Sequence, residues 1–170
     1  MTAYVALLRA VNVGGTGKLP MRDLKGLCEA AGFAKVRTYI ASGNVVFESR
    51  KAQSAVKKAL ESSLADYAGK PVAVLVRSAA EMADVLSANP FSKLEPNRTM
   101  AIFLDAAAPR DTLTRVTGRN TEKVQLGKRE IYVYYGAGMA KSKLRIPAAK
   151  AGTARNMNTV AKLAEFAAGL

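Results

Sequence analysis

The order of apolar segments in the first 77 residues restricts the fold more than any other feature of this sequence. A strand pattern (TAYVALLR) is followed by a helical pattern (MRDLKGLCEAAGF), two short strands (KVRTYI and NVVFES), a long amphipathic helix and a last strand (PVAVLVR). This β-α-β-β-α-β order is the split βαβ, or ferredoxin-like, arrangement. It predicts an antiparallel sheet with both helices on one face.

Apolar segments and breaker residues divide the second half of the sequence in a similar way. A breaker-rich stretch (NPFSKLEPNR) is followed by a strand (TMAIFLD) and by a helix (PRDTLTRVTG) that begins at Pro109. A hairpin then turns at Gly127 and Lys128, and a last helix covers roughly 156–168. The second half thus repeats β-α-β-β-α without the final strand.

These two halves predict an α+β fold made of two ferredoxin-like (split βαβ) units, each an antiparallel sheet with helices packed on it. The first unit covers residues 1–88 and ends in a helix that begins with a capping box, Ser78 to Glu81. Residues 89–98 form a linker, and the second unit covers 99–170 with the C-terminal helix.

Helical spacing assigns several side chains to the predicted core. Val56, Leu60, Leu64 and Tyr67 share one face of the long helix. Cys28, the one cysteine of the chain, lies at helical spacing with apolar neighbours. We therefore interpret it as a small core residue, and it forms no intramolecular disulfide.

Histidine is absent from the chain, and its absence excludes several kinds of chemistry. No Ser-His-Asp or Cys-His arrangement can form, nor a zinc site built on imidazole. One cysteine and scattered carboxylates predict no bound metal, and no cofactor is expected. The apolar run at 3–13 is too short to span a bilayer, and no signal peptide is recognised. We therefore expect a cytoplasmic protein without membrane association.

The chain is strongly basic, with 26 Lys and Arg residues against 13 Asp and Glu residues and a net charge of +13. Residues 1–90 carry +5 and residues 91–170 carry +8. Between Ile131 and Ala164 there is no acidic residue, while six cations occur. Such a charge attracts anionic ligands, including nucleic acid. The alternative interpretation is that the charge serves only solubility.

A glycine-rich stretch, RAVNVGGTGKLP at residues 9–20, lies between the first strand and the first helix. It fails the P-loop pattern, because Asn12 stands where the first glycine is needed and Leu19 stands where a hydroxyl residue is needed. It also fails the dinucleotide pattern G-x-G-x-x-G. Two interpretations remain: an anion held by free N–H groups with Lys18, Arg9 and Asn12 nearby, or a tight crossover in which glycine allows positive φ.

Four stretches taken together resemble a known family: LLRAVNVGGTGKLPM, RTYIASGNVVFES, GMAKSKL and TARNMNTVAKL. In this order they are similar to the motifs of a widespread bacterial family, the domain-of-unknown-function family sixteen-ninety-seven. The resemblance covers almost the whole chain. It implies a duplication of ferredoxin-like units, and it implies no settled activity.

The resemblance also marks motif positions, at which three residues of this chain depart from the family pattern. Ala10 stands in place of glycine, Ala41 in place of glutamine, and Met157 in place of tryptophan. From the motif positions we take the following candidates for an anion site: Arg9, Asn12, Gly14, Gly15, Lys18, Ser42, Asn44, Ser142, Lys143, Arg155, Asn156 and Asn158.

These candidate residues are cationic, amide or hydroxyl side chains and glycines, and none is an acid or a histidine. They favour anion recognition over acid–base catalysis. Thr153 or Asn156 can cap the last helix and leave Arg155 beside its free N–H groups. Ser142 and Lys143 can also be considered as a nucleophile pair, but adjacent side chains diverge, so we interpret Lys143 as a phosphate contact.

Aromatic residues offer a second interpretation, a surface on which bases stack. Tyr132 and Tyr134 alternate on one face of the second hairpin and could form such a surface. The alternative is that both tyrosines pack in the protein with their hydroxyl groups hydrated.

Three functions remain open at this stage. The first is binding of an anionic ligand (a nucleotide, a phosphorylated metabolite or an RNA segment) in a basic cleft between the two units. The second is an enzyme that acts on a phosphorylated or carboxylated small molecule through Lys143 or Lys18. The third is a structural or interaction module whose motifs serve the packing of the two halves. No catalytic residue is assigned, and the oligomeric state is not indicated.

Overall fold

The alternating apolar segments form two four-stranded antiparallel sheets. The computed structural model describes residues 1–12 and 18–170, so the predictions for Gly14 and Gly15 lie outside the described residues. The strands are β1 (Thr2–Leu8), β2 (Ala34–Thr38), β3 (Asn44–Ser49), β4 (Val74–Ser78), β5 (Thr99–Phe103), β6 (Lys123–Leu126), β7 (Glu130–Tyr134) and β8 (Thr153–Asn156). The α-helices are α1 (Met21–Ala30), α2 (Gln53–Ala68), α3 (Ala79–Ser87) and α4 (Met157–Ala168).

The chain divides into two compact units. Unit 1 comprises Met1–Ala83 and Lys162–Leu170, and unit 2 comprises Asp84–Ala161. The strand order is β2-β3-β1-β4 in the first sheet and β6-β7-β5-β8 in the second. Both are the order of a ferredoxin-like sheet, so the predicted α+β fold with two such units is confirmed.

In unit 1 the predicted order of elements is confirmed. In register, Val5 of β1 lies opposite Val46 of β3 and Arg77 of β4. Leu24 of α1 and Leu60 of α2 are buried with one face of this sheet in a single apolar cluster, so both helices cover the same face. Burying this apolar surface is the main stabilising contribution to the unit.

Cys28 and Tyr67, both at helical spacing with apolar residues, differ in burial. Cys28 is fully buried in the cluster, and burial raises the pKa of its thiol to about 12, so it is a packing residue without thiolate character. Tyr67, in contrast, is 45% exposed, and its hydroxyl donates a hydrogen bond of 2.7 Å to Asp23 Oδ2. Tyr67, in the last turn of α2, thus has the spacing of Val56, Leu60 and Leu64 but not their burial.

Unit 2 differs from the sequence prediction in two places. The helix expected from Pro109 is only a short 3₁₀ turn, Thr112–Arg115. The hydroxyls of Thr112 and Thr114 donate to the carbonyls of Pro109 and Asp111, which competes with a longer helix.

The second difference is the final strand, which the sequence did not predict. β8 pairs antiparallel with β5, with Ala101 opposite Arg155, and it completes the second sheet. Its four residues, TARN, have too little apolar alternation to signal a strand. Because β8 extends to Asn156, α4 begins one residue later than predicted, at Met157.

The second apolar cluster lies within unit 2. Ile102, Ile131 and Val133 are buried in it, and Val116 and Leu144 from two irregular segments pack against it. Across residues 1–12 and 18–170, none of the helices combines the length and the apolar character needed to cross a bilayer.

Candidate anion-binding site

The candidate residues fall into two groups, one in each unit. Arg9, Asn12, Lys18, Ser42 and Asn44 belong to unit 1. Ser142, Lys143, Arg155, Asn156 and Asn158 belong to unit 2. A single site shared by the two groups stays a prediction, and each group is described within its own unit.

In unit 1, the Asn12 side chain joins two of the sequence motifs. Its Nδ2 donates to the carbonyl oxygens of Leu19 (2.9 Å) and Ala41 (2.8 Å), and its Oδ1 accepts from the N–H of Leu19 (2.7 Å). An asparagine is suited to this position because φ is +55°, a value that asparagine tolerates better than most residues. Asn12 therefore connects two points of the glycine-rich stretch, residues 12 and 19, with the loop between β2 and β3.

The motif Ser42-Gly43-Asn44 serves the same loop contact. Asn44 is fully buried, and its Nδ2 donates to the carbonyl of Tyr39 and to Ser42 Oγ, both at 2.9 Å. Gly43 has φ of +90°, and a Cβ at this position would lie 2.6 Å from Val11 Cγ2. Close approach of the two loops thus accounts for a glycine at this position of the motif.

A cleft of about 230 Å³ lies beside these loops, and we call it the apolar cleft. Its lining includes Val11, Lys18, Leu19, Leu64, Lys70 and Val72. Lys18 is exposed at this cleft, and Arg9 is exposed at the end of β1, where its N–H donates to the carbonyl of Ala73 (2.9 Å). Lys18 is thus the candidate of unit 1 that reaches a cavity, although the walls there are mainly aliphatic.

In unit 2, the motif residues Ser142 and Lys143 both line a larger cleft, of about 400 Å³, which we call the polar cleft. Gly118, Asn120, Thr121, Glu122 and Lys141 also line it. Lys141 and Lys143 are exposed. The polar cleft therefore combines two ammonium groups with hydroxyl, amide and backbone groups, which is the chemistry that a phosphate requires.

Sequence reasoning missed Glu122, the carboxylate at this cleft. Ser142 Oγ donates to its Oε2 (2.6 Å), and the N–H of Asn120 donates to its Oε1 (2.7 Å). These bonds, the one from Ser142 first, hold the pKa of Glu122 below its ordinary value, with a smaller contribution from Arg119. Glu122 thus stays ionised and ties the segment around residue 120 to the segment around residue 142.

We expect this carboxylate to make the stability of the protein depend on pH. Because its pKa is lowered by folding, its stabilising contribution is complete above the ordinary pKa of 4.5 and is lost as the pH falls through the folded-state value. Ser142→Ala removes the largest cause of the shift. Urea unfolding at about pH 7 and about pH 3 should therefore show a smaller acid-side loss in this variant than in the parent.

The control is Ser92→Ala, which removes an exposed hydroxyl elsewhere in unit 2. It should keep the acid-side loss of the parent protein. An unchanged loss in Ser142→Ala as well would show that the bond to Glu122 does not set the pKa of this carboxylate.

Arg155 is buried, with 7% of its surface exposed, and burial lowers the pKa of its guanidinium to about 10. The guanidinium donates to Thr153 Oγ1 (2.7 Å) and to the carbonyl of Ala154 (2.9 Å). Arg77 of unit 1 is placed alike: it is buried in the last strand of its sheet and donates to the carbonyl of Val76 (3.0 Å).

The residue after each of these arginines caps a helix. The N–H of Thr159 donates to Asn156 Oδ1 (2.9 Å) at the start of α4, so the predicted cap is confirmed. The N–H of Glu81 donates to Ser78 Oγ (3.2 Å) at the start of α3, as the capping box predicts. The two units therefore correspond in individual side chains: Arg155 matches Arg77, and the helix cap Asn156 matches Ser78. Asn158 is exposed on the first turn of α4.

The predicted stacking surface of Tyr132 and Tyr134 does not form. Tyr132 is buried, its hydroxyl donates to the carbonyl of Val85 (2.8 Å), and burial raises its pKa to about 12. The hydroxyl of Tyr134 donates to Glu95 Oε1 (2.8 Å). Tyr132 thus packs in the interior, as the alternative interpretation expected, but its hydroxyl is bound to a carbonyl instead of being hydrated.

In the described part of the chain, no group of three or more His, Cys, Asp or Glu side chains lies close enough to hold a metal ion. The polar cleft is lined by ammonium, hydroxyl and amide side chains and by one carboxylate, that of Glu122.

Comparison with known proteins gives one family and one fold. A family model described as "Protein of unknown function (DUF1697)" matches residues 1–132. No curated protein matches the chain. Among solved structures, the conserved bacterial protein SP0830 from Streptococcus pneumoniae is similar, with a TM-score of 0.80, 24% sequence identity and coverage of 98% of each chain. At this identity the similarity shows a shared fold.

Proposed function

The chain belongs to the DUF1697 family of proteins of unknown function, and we propose that it binds a small phosphorylated ligand in the polar cleft. The observation that carries this proposal is that Lys141, Ser142 and Lys143 line one cleft of about 400 Å³. This volume is in the range of small-molecule sites. A mononucleotide or a sugar phosphate would fit in it.

The charge at the polar cleft supports an anion despite the presence of Glu122. Both oxygens of this carboxylate already accept hydrogen bonds, from Ser142 and from the N–H of Asn120. Lys141 and Lys143 are exposed and line the cleft, so a ligand that enters from solvent can contact both. The lining therefore has a net positive charge, and lysine is a common point-charge partner for phosphate.

The contacts of Ser142 favour binding over covalent catalysis. Its hydroxyl donates to a carboxylate whose pKa is lowered, and such a carboxylate is a weak base for activating a nucleophile. Lys143 is exposed, whereas a nucleophilic lysine is usually desolvated. The roles that fit are an ion-pair donor for Lys143 and a positioning residue for Ser142.

The test is a thermal-shift screen followed by titration with pyrophosphate, AMP and ATP. We expect at least one of these probes to raise the melting temperature of the parent protein, and Lys143→Ala to weaken its binding about tenfold, the loss of one charge-assisted contact. Circular dichroism checks that the variant is folded.

The matched control is Lys128→Ala, which removes one charge from the exposed tip of the β6–β7 hairpin. This control should bind the probe as the parent does. Equal weakening in the two variants would show a response to net charge alone and would overturn the site, as would the absence of binding by all three probes.

A further inference from the structure

Two irregular segments of unit 2 are joined by backbone hydrogen bonds beside the polar cleft. The N–H of Thr117 donates to the carbonyl of Arg145 (3.0 Å), and the N–H of Arg145 donates to the carbonyl of Thr117 (2.8 Å). This antiparallel bridge places the segment around residue 117 alongside 141–145. A short two-segment ribbon results.

The inner and outer faces of this ribbon differ sharply in character. Val116 and Leu144 pack on the inner face against the apolar cluster of unit 2. The five cations that flank them are exposed: Arg115, Arg119, Lys141, Lys143 and Arg145. Because alternate residues of an extended segment point to opposite sides, Lys143 and Arg145 share the outer face. We call these five cations the basic ribbon.

Few carboxylates compensate this charge. Arg115 Nε lies 3.5 Å from Asp111 Oδ2, and both side chains are more than half exposed, so solvent weakens this pair. Glu122, at the edge of the ribbon, lies beside Arg119, whose Nε donates to the Glu122 carbonyl (2.9 Å). Five cations thus stand against two carboxylates, so the ribbon keeps a net positive charge.

We infer that the basic ribbon binds the sugar–phosphate backbone of a nucleic acid. The inference rests on the proposed function, since one phosphate of the chain would occupy the polar cleft. Arg115 and Arg145 lie outside the lining of the polar cleft. A small anion held in the cleft would not engage them, whereas a chain of regularly spaced phosphates can extend from the cleft to both.

The mode of recognition follows from the side chains present. The five residues of the basic ribbon include no aromatic ring, and Tyr132 is buried. Binding through these five cations depends on phosphate contacts, which carry little base selectivity. Such binding weakens steeply as the salt concentration rises.

The experiment compares the full-length parent protein with Arg115→Gln/Arg145→Gln, which changes two cations of the ribbon outside the cleft lining. The probes are fluorescein-labelled mixed-sequence RNA and duplex DNA of about 20 nucleotides per strand, titrated at several NaCl concentrations. We expect the parent to bind, and the double variant to bind at least about tenfold more weakly at low salt. The slope of log K against log salt, which is negative, should become shallower by about 2, one for each lost phosphate contact.

The control Lys93→Gln/Lys128→Gln removes the same charge from exposed positions of unit 2 that lie outside the ribbon, and it should keep the slope of the parent. Equal losses in both double variants would overturn the inference. Binding of the parent to phosphatidylserine vesicles but to neither nucleic acid would overturn it in favour of a membrane surface.

Pyrophosphate separates a failure of the inference from a failure of the proposed function. If Lys143→Ala weakens pyrophosphate binding but no oligonucleotide binds, the polar cleft is supported and the basic ribbon is not. If oligonucleotides bind through Arg115 and Arg145 while pyrophosphate, AMP and ATP all fail to bind, the ribbon acts without the cleft and the proposed function fails.

Discussion

An alanine at position 118 is expected to lower the free energy of unfolding by about 2–5 kcal/mol. Gly118 has φ of +69°, where a Cβ costs about 1–2 kcal/mol. A Cβ there would also overlap the backbone carbonyl of Lys143. Since a backbone group cannot turn aside as a side chain can, the two segments of the basic ribbon would have to separate, at a further cost of about 1–3 kcal/mol or more.

Urea unfolding measures this loss, and Gly138→Ala is its matched control. Gly138 also has a positive φ, +89°, but a Cβ on it would meet no atom within 4 Å. Its substitution should therefore cost only the conformational strain of about 1–2 kcal/mol. Equal losses for the two variants would mean that the close approach of Gly118 to Lys143 has no energetic importance.

For Asn12→Ala we expect a loss of about 2–4 kcal/mol in the free energy of unfolding. The substitution removes three hydrogen bonds, to Leu19 N–H, the Leu19 carbonyl and the Ala41 carbonyl, each with a net value of about 1 kcal/mol. It also leaves alanine at φ of +55°, where asparagine is stabilised by the local hydrogen bonds of its side chain and alanine is not. The loops at the end of β1 would then lose their connection.

Two further variants make this prediction specific. Asn12→Asp keeps the acceptor for the N–H of Leu19 but sets a second acceptor oxygen against two carbonyls, so its loss should be comparable to that of Asn12→Ala. Asn158→Ala removes an exposed amide on α4 and should change stability by less than about 0.5 kcal/mol. Denaturant midpoints for the three variants measure these losses, and a loss in Asn12→Ala as small as that in Asn158→Ala would contradict the connecting role of Asn12.

Prediction from sequence succeeded where apolar periodicity is strong. In α2, Val56, Leu60 and Leu64 are spaced at the helical period and are buried. Tyr67 continues the same spacing but is 45% exposed, and periodicity carries no information about where the partner surface ends. β8 was missed for a related reason, because a four-residue edge strand is stabilised by its pairing with β5 rather than by its own composition.

For the candidate site, the sequence indicated residue types but not their partners. Ser142 and Lys143 were selected from a motif, and both line the polar cleft. Glu122 was not selected, because it lies 20 residues from Ser142 and no local pattern links the two. Asn12 and Asn44 were selected as ligand contacts, and the structure shows that their amides hydrogen-bond within the loops of unit 1.

The sequence alone therefore determined the two ferredoxin-like units, because strand and helix periods are local properties that apolar burial converts directly into layers. Tertiary structure alone decided which polar groups meet. Backbone pairing of Thr117 with Arg145 brings two distant basic segments together, and hydrogen bonds then join Glu122 to Ser142. Such long-range contacts depend on the complete packing of the chain, since the energy of each bond exists only when its partner has been positioned.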